Sequence, residues 1–152
     1  MKTSFPFLSF SALAWCLLGA GALAGSPRVY QTYPGGAQRG SEIEVLCSGA
    51  NLEDARSFLF DEPGFESEIL SADKSKFRAK IKVAPNVRLG EHNFRVITAS
   101  GIADVRLFYV TPFPMVAEVE SKAKPKPAQH IELNTTVYGH TPDDEQAKYE
   151  VD

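Results

Sequence analysis

At 152 residues the chain has room for one ordinary domain plus extensions. A hydrophobic share of 43% beside 23% charged residues is that of a globular protein and excludes a disordered or fibrous chain. The net charge of −3 comes without the clustered Lys and Arg of a nucleic-acid footprint, so no nucleic-acid partner is expected.

Residues 1–24 carry the pattern of an export signal. Lys2 gives the positive start, Phe5 to Ala24 is almost wholly apolar, and Ala22-Leu23-Ala24 forms an A-x-A cleavage site before Gly25. The run approaches the length of a membrane span. The cleavage site and the single weak positive charge favour a removable signal over an anchor. A lipoprotein centred on Cys16 is disfavoured by the bulk of Trp15 just before it. The sequence therefore predicts an exported protein, periplasmic, cell-surface or extracellular, with no membrane attachment after cleavage. Cys47 is then the one cysteine left, in phase with Ile43 and Val45, and reads as a buried small hydrophobe.

In chain order, Arg28 to Tyr33 is rich in β formers and stops at Pro34. The cluster from Pro34 through Gly35, Gly36 and Gly40 is a turn feeding Glu42 to Ser48, where Ile43, Val45 and Cys47 alternate with polar positions. Gly49 to Leu52 turns the chain, and Leu52 to Arg56 is at most one helical turn. Ser57 to Phe60 and Phe65 to Leu70 are short strands separated by Asp61-Glu62-Pro63-Gly64.

Lys76 to Val83 is the clearest alternation. Phe77, Ala79, Ile81 and Val83 take one face, and Lys76, Arg78, Lys80 and Lys82 the other. The basic row is either a polyanion patch or, more simply, the solvated face of a strand that keeps a sheet edge soluble. Glu91 to Thr98 follows, then a tight turn at Ala99-Ser100-Gly101. Ile102 to Val110 is the last strand. Its phase is ambiguous, since Val105 and Leu107 oppose Phe108 and Val110 unless a bulge intervenes. About seven short strands with turn signals between them predict an all-β, immunoglobulin-like sandwich.

The pattern Pro34-x-Gly36-x3-Gly40-x-Glu42-Ile43-x-Val45, then Gly49-x-Asn51-Leu52, resembles the opening of an IPT/TIG domain, an immunoglobulin-like module. Leu89-Gly90-Glu91-His92, Thr98-x-x-Gly101-Ile102 and Phe108-x-Val110 resemble its closing half. The resemblance implies that Pro34, Gly36, Gly40 and Gly101 shape turns of the fold, over residues 27–114. Residues 115–128, with their Lys/Pro run, read as an extended linker. In 129–152, Ala128-Gln129-x-Ile131-x-Leu133-Asn134-x-Thr136-Val137-x-Gly139 resembles the first strands of a pre-peptidase C-terminal (PPC) domain. The combination is similar to the amino-terminal region of large exported proteins of planctomycete-type bacteria. The segment is too short to bury a core alone, which suggests a truncated domain or a fragment of a longer polypeptide.

No motif announces catalysis: there is no G-x-S-x-G elbow, P-loop, dinucleotide fingerprint or zinc helix. His92, His130 and His140 are far apart without paired ligand spacing, and no metal centre is expected from them. Calcium is the cofactor the PPC resemblance raises. Asp143, Asp144 and Glu145 are its weak candidate ligands, more simply an acidic turn after Thr141-Pro142, and the Lys/Pro run departs from the acidic motif of that family. Tyr30, Tyr33, Phe58, Phe60, Phe65, Phe108 and Tyr109 should mostly fill the core, with Phe65 the candidate for an exposed recognition side chain.

The expected role is a non-catalytic exported module, a spacer or an adhesion or interaction unit of a larger protein, binding another protein or a cell-surface polymer. The alternative is the ancillary amino-terminal region of a secreted peptidase whose catalytic domain lies outside this chain.

Overall fold

A computed structural model describes residues 25–119, 128–139 and 149–151. Among them are twelve strands and no helix: β1 (Arg28–Tyr33), β2 (Gly36–Gln38), β3 (Glu42–Ala50), β4 (Ala55–Phe60), β5 (Phe65–Ala72), β6 (Lys76–Val83), β7 (Gly90–Thr98), β8 (Arg106–Thr111), β9 (Met115–Ala117), β10 (Gln129–Ile131), β11 (Thr136–Tyr138) and β12 (Tyr149–Val151). The first eight make two four-stranded sheets, ordered β1-β3-β6-β5 and β2-β8-β7-β4. Counting β1 and β2 as halves of one divided strand, the first, second, fifth and fourth strands share one sheet and the third, sixth and seventh share the other. That is the constant-type immunoglobulin arrangement. The protein is an all-β sandwich of this kind, with more strands in total than the seven expected.

The division of the first strand explains the Gly/Pro cluster. β1 runs antiparallel to β3, with Tyr33 opposite Leu46. The chain then changes sheets at Pro34, whose peptide with Tyr33 is cis, and β2 joins β8 in parallel, Gly36 opposite Tyr109. A Cβ on Gly36 would lie 2.3 Å from the Tyr109 carbonyl oxygen, so only glycine lets the strands approach so closely. Gly40, with φ of 76°, turns the chain into β3 through the left-handed region. Gly101 lies in the β7–β8 turn, which Thr98 closes by donating its backbone N–H to the Gly101 carbonyl at 2.8 Å.

The core follows from the alternation. Val45 and Cys47 of β3 and Phe77, Ala79, Ile81 and Val83 of β6 meet Phe58, Phe94, Val96, Phe108 and Val110 of the other sheet. Phe58 bridges the layers, its ring centroid 5.7 Å from Phe77 and 5.2 Å from Phe94. In β8 Phe108 and Val110 point inward while Leu107 and Tyr109 face out, and between Gly101 and Arg106 only Ile102 bridges back, to Ile97. Leu52 to Arg56 is not helical: the chain turns at Glu53 and Asp54, Ala55 donating to the Leu52 carbonyl at 3.1 Å, and β4 begins at Ala55.

The stretch read as a linker begins with a strand, β9, paired in parallel with β11. Tyr138 of β11 sets its ring edge-on to Tyr33 at 5.1 Å, so this small sheet touches the sandwich where the first strand divides. Gln129 clamps the return, accepting from the Val119 N–H at 2.8 Å and donating to the Ala117 carbonyl at 3.0 Å.

Candidate functional site

Both sheets expose some apolar side chains outward, Tyr30, Leu46 and Leu70 on the first, but they differ in the arrangement of their charges. On the first, Lys80 and Lys82 of the central β6 stand opposite Glu44 and Glu42 of β3 on one side and Glu68 and Glu66 of β5 on the other. Arg78 pairs with Glu44, Lys80 with Glu42 at 3.2 Å and Lys82 with Glu66 at 3.3 Å. The basic row is thus flanked by acidic rows, and β6 is a central strand, not an edge. The pairs are exposed and each adds little stability, yet together they leave no unbalanced positive patch for a polyanion.

The outer face of the second sheet is different. Leu59 is 48% exposed, Leu107 45% and Tyr109 44%, with Ile102 and Val105 also open to solvent. Asn93 and Arg95 of β7 lie between them, opposite Leu107 and Leu59 respectively. Leu59, Asn93, Arg95 and Val105 line a groove of about 490 Å³ on this face. Tyr109 donates its hydroxyl to Glu91 Oε1 at 3.2 Å, and that bond to a carboxylate raises its pKa above the usual phenol value.

At one end of the sandwich the β4–β5 turn meets the start of β7. His92 is the first inward residue of β7 and only 1% exposed. Phe65 packs edge-on to its ring at 5.0 Å, while itself stacking on Phe60 at 3.9 Å. Phe65 is therefore half-buried packing, not the exposed recognition residue expected of a turn aromatic. His92 Nε2 lies 2.7 Å from the Arg88 carbonyl oxygen, and Nδ1 lies 3.4 Å from Glu62 Oε2 without forming a hydrogen bond. Arg88 straps the end together, giving Glu62 Oε1 two N–H bonds at 2.8 and 3.3 Å and the Glu91 carbonyl another at 2.7 Å. The Glu62 carboxylate holds the Arg88 guanidinium above its ordinary pKa. Asp61 Oδ2 accepts from Asn93 Nδ2 at 2.8 Å.

Cys47 is buried, with its sulfur 3.4 Å from the Thr32 hydroxyl. Burial pushes its thiol up to about 12 against the partial relief from Thr32, which suits a packing residue and not a nucleophile. Ala22 and Ala24 of the cleavage motif and Asp143, Asp144 and Glu145 of the calcium reading lie outside the described residues, as does His140. Of the turn residues Pro34, Gly36, Gly40 and Gly101, Gly40 lines a shallow pocket with Gly64, Phe65 and Pro85. His92, Glu62 and Asp61 were not singled out as a set by sequence reasoning. The visible signal was a histidine in the inward phase of an apolar strand, beside a paired-carboxylate turn.

No model of a known protein family matches the chain, and no curated protein matches it in sequence. Among solved structures, it is similar to domains 5–6 of the S-layer protein SbsC, with a TM-score of 0.38 and 8% identity over 58% of this chain and 46% of that one. The likeness is too slight to bear on function.

Proposed function

We propose that the protein is an exported, non-catalytic immunoglobulin-like module, of IPT/TIG type, in a larger extracellular or envelope protein. It holds a partner protein or cell-surface polymer through the outer face of its second sheet. The observation that carries this is the contrast between faces. The first sheet's exterior carries cross-strand ion pairs beside exposed Tyr30, Leu46 and Leu70, whereas on the second exposed Leu59 and Val105 line a groove, with Leu107 and Tyr109 also open on that face. Exposed apolar side chains gathered on one face beside a groove mark an interaction site. The buried, protonated Cys47 supports a structural role for that thiol. The run from Phe5 to Ala24 and the A-x-A site support export.

A carboxy-terminal β-lactamase fusion of the full chain tests the export half, because the reporter protects cells only outside the cytoplasm. Resistance is expected, with the mature protein beginning at Gly25. Resistance lost when Leu17 and Leu18 become lysine agrees with that reading. A fusion that stays cytoplasmic, or an exported chain retaining Lys2, refutes it.

A further inference from the structure

We propose that His92, Glu62 and Asp61 form a binding site for a divalent transition-metal ion of the zinc class at the end of the sandwich. The argument starts from the tautomer of His92. A carbonyl oxygen can only accept, so the 2.7 Å contact with the Arg88 carbonyl places the ring hydrogen on Nε2. Nδ1 then carries a lone pair, with a carboxylate oxygen, Glu62 Oε2, 3.4 Å away. Nδ1 is buried and has no hydrogen-bond partner. A buried ring nitrogen left beside a carboxylate oxygen without a hydrogen bond is unfavourable unless a cation bridges the gap.

The spacing suits a metal ion. A tetrahedral zinc ion with bonds of about 2.1 Å holds neighbouring ligand atoms about 3.4 Å apart. Asp61 supplies the third ligand, since one donor atom from each of the three residues lies within 4.8 Å of the others. Asp61 is exposed, so its side chain can rotate to close the remaining distance. Its Oδ2 accepts from Asn93 Nδ2 at 2.8 Å, a bond at the surface that such a rotation exchanges for the ion.

The surroundings have the form of a supporting shell. Arg88 occupies Glu62 Oε1, fixing the carboxylate so that Oε2 faces the imidazole. The Arg88 carbonyl orients the ring from its other nitrogen, the usual way a ligating histidine is held. One imidazole and two carboxylates suit zinc and its neighbours. Calcium, which takes oxygen ligands, is a poor match for the imidazole. This site adjoins the groove of the second sheet, since Asp61 and Asn93 line that groove as well, but an ion there does not depend on what the face binds.

The test uses the full purified chain, stripped with chelator, with Zn²⁺ as probe. Calorimetry is expected to find an ion held by Glu62. Zinc at one-hundredfold over its Kd should raise Tm by about 10 °C or more. Adding zinc should shift the ¹⁵N resonance of His92 Nδ1 at constant pH, and Co²⁺ should give the strong visible absorption of a four-coordinate ion. Glu62→Gln should weaken binding about tenfold or more. The exposed Asp61→Asn, which leaves the core untouched, should weaken it as well, while His130→Gln should not. If zinc moves neither Tm nor the His92 signal, and that signal follows pH alone, the gap holds a proton and the proposal is wrong. Equal binding by wild type, Glu62→Gln and Asp61→Asn would place the ion elsewhere and overturn it too.

Discussion

Adjacent glycines make a sharp test of how the first strand divides. A Cβ added at Gly36 would lie 2.3 Å from the Tyr109 carbonyl oxygen and 3.0 Å from its carbonyl carbon and Cβ. These are largely backbone atoms of β8, an inner strand paired on its far side to β7, and cannot swing aside as a side-chain tip would. At Gly35 the nearest atom is the Thr32 oxygen at 3.6 Å, an ordinary contact, and the backbone there is not left-handed. Gly36→Ala should therefore destabilise by about 1–3 kcal/mol, as overpacking does, with β2 lifting from β8. For a domain of this size that is a fall in Tm of about 4 °C at least and up to about 20 °C. Gly35→Ala should be neutral or slightly stabilising, because it only narrows the unfolded ensemble. Thermal melts of the two variants beside wild type decide it. Amide exchange adds a local reading, since the Tyr109 N–H bonds to the Gly35 carbonyl at 3.0 Å and the Arg39 N–H to the Thr111 carbonyl at 2.9 Å. Equal melting temperatures for both variants would refute the close approach of β2 to β8.

Three further outcomes follow from the same structure. Cys47 should resist alkylation in the native protein and react only as it unfolds. With its pKa raised from 9.0 to about 12, the folded state keeps its proton while the unfolded state loses it. Cys47 should therefore cost stability as pH rises through that window, by up to about 1.4 kcal/mol per pH unit, and Cys47→Val should lack that slope. The ion-paired face of β3, β5 and β6 should not retain the protein on heparin at physiological salt, and Lys80→Gln should change stability by no more than about 1 kcal/mol. Tyr138→Ala removes the ring packed edge-on to Tyr33. It should cost about 0.5–1.5 kcal/mol and lower Tm by several degrees, where an independent tail would leave the sandwich's melting unchanged.

How much of this was legible depends on whether a residue's partners are near it in sequence. β6 was plain, with the bounds Lys76–Val83, because an antiparallel strand with one wet face writes its environment into its own alternation. β2 was invisible: three residues inside a Gly/Pro cluster are a strand only because Tyr109, far along the chain, pairs with Gly36. The phase of β8 was ambiguous because both of its rows are apolar, and the inward row is set by Phe108 meeting Phe60 across the core at 5.8 Å. The basic row of β6 was read as an edge, since sequence does not show that β3 and β5 flank it with glutamates. At the end of the sandwich, only histidine–histidine spacing was weighed. His92 finds carboxylates instead, brought about 30 residues back along the chain by the β4–β5 turn.

The claim at the centre is the proposal that the second sheet's outer face is where this module meets its partner. The most direct measurement places a photo-crosslinking amino acid at Leu107 and, separately, at Lys80 on the ion-paired face, and irradiates intact cells that export the full chain. The account predicts covalent adducts to another envelope protein or surface polymer from position 107 and none from position 80. Adducts from position 80 alone, or from neither position, would contradict it.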